Sequence, residues 1–179
     1  HYLGSVLDTD QFDTFYHEHR RTYSQRSFEF IAQTLGKTLF DVQYVSRYGG
    51  NIRVYIGSNH KISYENKKED DFLEKFKIMK KNISSWQKDM RLFLEEKIAK
   101  YGKLRAKAFP GRAAILVKLL GLDENHISAV YEITGSKKVH NYLPGTKIPI
   151  LPESELYASE DISLPILKIF IFIKLMKNL

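Results

Sequence analysis

Residues 12 to 24 read Phe-Asp-Thr-Phe-Tyr-His-Glu-His-Arg-Arg-Thr-Tyr-Ser, and no other stretch of the chain gathers so many groups able to move a proton. A carboxylate beside an imidazole orients the ring and raises its basicity, which is what a general base needs near neutral pH. A tyrosine hydroxyl close by can donate to an oxyanion as it forms. Read as an extended strand end, Tyr16-His17-Glu18-His19 puts Tyr16 and Glu18 on one face and the two histidines on the other, and twist would bring Glu18 against a histidine. A metal site is not expected, because His1, His60, His126 and His140 add no ligand spacing to His17-x-His19. By composition alone, an inert polar strand end is the commoner source of such a cluster.

Two further stretches carry weaker signals. Phe109-Pro110-Gly111-Arg112 stands between a predicted strand and a predicted helix. Such a loop offers backbone N–H groups at the positive end of a helix dipole, with the Arg112 guanidinium added, and that suits a phosphate. It is neither a Gly-rich dinucleotide fingerprint nor a Walker loop. The segment from Ser136 to Ile150 has a Pro144-Gly145 turn with Lys138 and Tyr142 near it, which read alone is a basic loop.

These candidates need elements to hold them. Phe28, Ile31, Ala32 and Leu35 recur at helical spacing and Gly36 follows as a stop, so a short amphipathic helix is predicted over 25–35. Two β-prone runs, Thr38–Ser46 and Asn51–Gly57, flank Gly49-Gly50 and read as a hairpin. From about Asp70 to Tyr101 the residues Phe72, Phe76, Met79, Ile83, Trp86, Met90 and Phe93 form one stripe of a long helix, with a break expected near Asn82-Ser84-Ser85. Beyond Gly102, a strand over 103–109, a helix over 113–121, a strand over 126–133 and a short strand at Ile148–Leu151 give a βαβ unit of a parallel sheet.

Composition narrows the classes. The chain has 179 residues, 43% of them hydrophobic, enough for one sizeable core or two small ones. It has no cysteine, which rules out disulfides, thiol nucleophiles and thiolate metal sites, and a cytoplasmic location is the default expectation. The opening His1-Tyr2-Leu3-Gly4 shows neither an initiating Met nor a leader pattern, so a fragment or processed chain is expected. A formal charge of +7 invites a nucleic-acid reading. The lysines between Lys67 and Lys103 are interleaved with Glu69, Asp71, Glu74, Asp89 and Glu95, as on a solvated helix face, so no nucleic acid is expected as a partner. The apolar end from Asp161 is interrupted by Lys168 and Lys174, so no membrane span is expected and a buried strand or helix fits.

Four stretches in this order, FDTFYHEHRRTYSQRSFEFI, GGNIRVYI, AFPGRAAILVKLLGLD and NYLPGTKIPIL, resemble the sugar C-methyltransferase family over residues 1 to about 160. Members use S-adenosylmethionine to methylate a carbon of a nucleotide-linked keto-sugar, here the expected partner. The resemblance implies an α/β chain in three parts. Residues 1–58 would be the last third of a Rossmann-like middle domain with its closing antiparallel hairpin, 59–102 a helical connector, and 103–179 a partial, Rossmann-like nucleotide-sugar domain. The S-adenosylmethionine site would lie mostly upstream, and zinc would belong to a separate N-terminal domain, so the chain by itself is expected to be inactive. By the same resemblance His19 is the base, Glu18 its orienting partner and Tyr16 a donor near the sugar, while Pro110, Gly111, Arg112, Lys138 and Tyr142 bind substrate. Arg112 stands where many members have Lys, and Phe109 replaces a smaller residue. After Glu160 the resemblance stops, and an early stop or a change of frame is the expectation for the tail. The competing class is a non-catalytic nucleotide or phosphosugar binding module.

Overall fold

A computed structural model describes residues 1–16, 18–107, 110–158 and 166–168. It is a mixed α/β chain that divides into two compact units, His1–Ile83 and Ser84–Leu179.

The first unit opens with helix α1 (Leu3–Asp8), which buries Val6 and Leu7. Helix α2 (Gln25–Thr34) begins where the sequence supplies a cap: Ser24 accepts from the Ser27 N–H, and the Ser27 hydroxyl accepts from the Ser24 N–H. It ends where Gly36 takes a φ of 63°. There the Lys37 and Gly36 N–H groups donate to the Ala32 and Gln33 carbonyls, the paired bonds of a glycine-terminated helix. Strands β1 (Thr38–Val45) and β2 (Asn51–Gly57) form the antiparallel hairpin the sequence predicts, with an irregularity between Leu39 and Asp41. Its turn is wider than a two-residue loop and contains a 3-10 turn over Arg47–Gly49. Gly49 (φ 84°) and Gly50 (φ 126°) are required there. A Cβ on Gly49 would lie 1.8 Å from Gln11 Nε2, and one on Gly50 2.3 Å from Ser5 Oγ.

Helix α3 (Phe72–Tyr101) is continuous, so the break expected near Asn82 does not occur. Asn82 instead donates outward to Asp10 Oδ2 at 3.0 Å. The buried positions are Met79, Trp86, Met90 and Leu94. Phe76 and Phe93, predicted in the stripe, are 41% and 44% exposed. The stripe is therefore half right: Leu94, at i+4 from Met90, takes the buried position that the spacing gave to Phe93.

In the second unit, strands β3 (Leu104–Lys107), β4 (Ile127–Glu132), β5 (Ile150–Pro152) and β6 (Ile166–Lys168) form a parallel sheet in the order β5-β4-β3-β6. Helix α4 (Pro110–Leu119) connects β3 to β4, and α5 (Glu153–Ala158) follows β5. Ala129 and Tyr131 pack with Leu156 of α5 on one face of the sheet. Arg91 on α3 closes the end of α4, its Nη1 donating to the Leu120 and Gly121 carbonyls at 2.6 and 2.9 Å. Of the apolar tail, only Ile166–Lys168 is described, and it is a strand; the remainder lies outside the described residues.

Candidate functional site

The Tyr16–His19 stretch is not a strand end. Phe12–Thr14 form a 3-10 turn, and the His19 N–H donates to the Tyr16 carbonyl at 2.8 Å, closing a second turn. Alternation of faces therefore does not apply, and neighbours in the turn meet directly. The Tyr16 hydroxyl donates to Glu18 Oε2 at 3.1 Å. The Tyr16 and His19 rings lie 4.5 Å apart between centroids, tilted by 53°. His17 lies outside the described residues.

His19 is oriented by the backbone. Its Nδ1 lies 3.1 Å from the Thr14 carbonyl. A carbonyl can only accept, so Nδ1 carries the proton and the neutral ring presents its lone pair at Nε2. The carboxylate expected to steer the imidazole is seen accepting from Tyr16, and a peptide oxygen does the steering. Thr14 is itself 2% exposed. A third aromatic group completes the cluster: the His1 ring lies 4.8 Å from the His19 ring. Nothing in the sequence marks His1, since no local spacing joins it to His19, and a backbone acceptor such as Thr14 leaves no signature in residue types.

The first unit also holds a hydrogen-bonded network, missed by sequence reasoning, that anchors the start of α2. Glu69 is 6% exposed. Its carboxylate accepts from the Tyr2 hydroxyl at 3.0 Å, the Gln25 N–H at 2.8 Å and the Arg26 N–H at 3.2 Å. The last two are unsatisfied donors of the first turn of α2, so a negative charge meets the positive end of that helix. Gln25 extends the network by accepting from the Tyr44 hydroxyl at 2.6 Å. Burial, then the Glu69 charge, pushes Tyr44 up to about 12, and burial with the Glu69 hydrogen bond raises Tyr2 further. Lys67 Nζ stands 3.8 Å from the Tyr44 ring centroid. Elsewhere in this unit a cavity of about 350 Å³ is lined by Glu29, Lys37, Leu39 and Tyr64 among others, and Tyr16, Glu18 and His19 are not among its lining residues.

In the second unit the expected binding residues are spread out. Pro110, Gly111 and Arg112 open α4, with Gly111 buried and Arg112 half-buried; Phe109 lies outside the described residues. Tyr142 is 65% exposed and pairs with Pro149 along the outer edge of β5. Lys138 precedes it in the same loop, its N–H donating to Ser136 Oγ at 3.3 Å. With neighbouring strands ~4.8 Å apart, β3 and the Tyr142 segment are separated by about three spacings, so the two loops do not converge on one point of the sheet. The polar contact at the strand ends is a different one. Lys107 at the end of β3 pairs with Glu153, which opens α5, and also donates to the Tyr157 hydroxyl at 3.3 Å. The Glu153 hydrogen bond holds Lys107 above the usual lysine range.

Among the described residues no group of three or more His, Cys, Asp or Glu is placed to hold a metal ion. Nor is any described helix long and apolar enough to cross a membrane. The family profile described as the C-methyltransferase C-terminal domain matches residues 46–171. The match starts downstream of the Tyr16–His19 turn and runs past Glu160, where the resemblance in the sequence stopped. No curated protein matches the chain.

Proposed function

The chain belongs to the C-methyltransferase C-terminal domain family, and from that premise we propose that it serves an S-adenosylmethionine-dependent enzyme methylating the carbon next to the ketone of a nucleotide-linked keto-deoxysugar. His19 is the base in this reading. The C–H bond next to the ketone breaks, the proton passes to Nε2, and the electron pair moves onto the carbonyl oxygen as an enolate. The observation that carries the assignment is the Thr14 carbonyl on Nδ1, which sets the tautomer with Nε2 as acceptor. Tyr16 is the donor to the enolate oxygen, and Glu18, accepting from the same hydroxyl, aims it.

S-adenosylmethionine, when bound, supplies an electrophilic methyl group. In this reading the residues of this chain act on the proton and hold the nucleotide-sugar. The second unit holds the nucleotide. Its strand order has the reversal at which open α/β sheets take ligands, next to β3, where Gly111 and Arg112 open α4. Lys138 and Tyr142, farther along the sheet, contact the more distant parts of the substrate.

The test follows hydrogen rather than methyl. With a nucleotide-linked keto-deoxysugar in heavy water, the protein should exchange the proton next to the ketone without any methyl donor. His19→Asn should slow that exchange by roughly a hundredfold or more. An unchanged rate overturns the assignment of the base.

A further inference from the structure

The cavity of the first unit is not lined by Tyr16, Glu18 or His19, and the reaction above makes no use of it. It measures about 350 Å³, near the lower end of the roughly 300–1,000 Å³ typical of small-molecule sites. Part of its wall is apolar: Ala32 of α2 and Leu39 of β1, both buried, and Ile62, which is exposed.

Two opposite charges line the same cavity without meeting. Glu29 is half-buried on α2, and its Oε1 accepts from the Gln25 side-chain amide at 2.9 Å and from the Tyr64 hydroxyl at 3.2 Å. Both donors are neutral, and among the described residues no cation pairs with this carboxylate and no donor reaches Oε2. Lys37, just past the glycine that ends α2, donates to the Ser58 hydroxyl at 2.7 Å, again a neutral partner. A carboxylate partly withdrawn from water and not neutralised carries a desolvation cost that a cationic group can offset. A bare cation would gain at Glu29 and lose at Lys37, and a bare anion the reverse. A ligand carrying both charges gains at both ends.

We propose that this cavity binds a free α-amino acid with an apolar side chain. The ammonium donates to Glu29 Oε2, the carboxylate accepts from Lys37 Nζ, and the side chain lies against Ala32, Leu39 and Ile62. Asn66, which also lines the cavity, accepts at its Oδ1 from the Gln25 amide at 3.1 Å. One amide thus ties Glu29 to the far wall and holds the carboxylate in place before a ligand arrives. An end of a peptide offers one of the two charges beside its side chain, not both. The site is independent of the methyl-transfer reading, and either can fail alone.

Calorimetry on the whole chain compares L-leucine with 4-methylpentanoate, which lacks the ammonium, and with 3-methylbutylamine, which lacks the carboxylate. Leucine should bind saturably and each analogue at least about tenfold more weakly, because each loses one hydrogen bond between charged groups. Glu29→Gln keeps an acceptor for Tyr64 and Gln25; it should weaken leucine by a similar factor and leave 4-methylpentanoate no weaker. Lys37→Met, at an exposed position, should weaken leucine likewise and leave 3-methylbutylamine no weaker. Comparing the three ligands on the unaltered chain needs no variant to fold. Absence of saturable leucine binding overturns the site. Equal binding of the three ligands, or leucine binding that either variant leaves unchanged, overturns the proposal as well.

Discussion

The two units position their candidate groups in opposite ways. In the first, a turn of a few residues brings Tyr16, Glu18 and His19 together, and a buried carboxylate more than forty positions along the chain anchors the helix that follows. In the second, the candidate groups stand at strand ends and loops whose nearness is set by strand order, with Lys107 at the end of β3 meeting Glu153, which opens α5. A site wired by hydrogen bonds depends on single polar atoms. One set by topology depends on the sheet and its apolar faces, and tolerates the loss of a peripheral contact.

Substitutions should expose this difference. Glu69→Ala removes the acceptor of three donors, two of them helix N–H groups with no intrahelical partner, and should destabilise the first unit by about 3 kcal/mol or more. Hydrogen exchange should show protection lost in α2 and retained in β3 and β4. Loss of protection in both units would break the comparison. Arg91→Ala uncovers the Leu120 and Gly121 carbonyls at the end of α4, where water can replace the guanidinium, and should cost only about 1–2 kcal/mol in urea unfolding of the second unit. If it costs as much as Glu69→Ala, the second unit is as dependent on one polar group as the first.

The last effect is on pH. Tyr44 titrates near 12 in the folded chain and near 10 when unfolded. Its raised value adds stability that is complete below pH 10 and is lost as pH rises from 10 to about 12. The urea midpoint of the first unit should fall across that window, and Tyr44→Phe should flatten the fall. A fall that is just as steep in Tyr44→Phe would assign the alkaline loss to other groups.

Much of the scaffold was legible because short-range rules governed it. Gly36 ended α2, the two glycines after Tyr48 turned the hairpin, and alternating apolar runs with a helix between them gave a parallel βαβ unit. The misreadings arose where residue type and backbone geometry part company. Tyr16 to His19 have strand-like composition, yet the bond from the His19 N–H to the Tyr16 carbonyl curls them into a turn. Polar letters at Asn82-Ser84-Ser85 suggested a break, but Asn82 satisfies its side chain outward on Asp10 and leaves the helix intact. The Thr14 acceptor is a peptide oxygen, and Glu69 is one acid among many in a charged run, so neither could be told apart by its letter. The roles proposed for Tyr16, Glu18 and His19 came from the resemblance, and the turn places their side chains next to one another.

The Glu69 carboxylate also bears on how the molecule is made. A ribosome releases the chain from its amino end, and α2 emerges with two amides at its start lacking the acceptor they will eventually have, because that acceptor follows Gln25 by 44 positions. Until Glu69 clears the exit tunnel, those amides are left to water and the helix frays from its first turn. Completion of the first unit during synthesis is therefore timed by the arrival of a single acidic side chain from the connector, and a pause in translation just upstream of it would prolong the interval in which α2 stands half-formed.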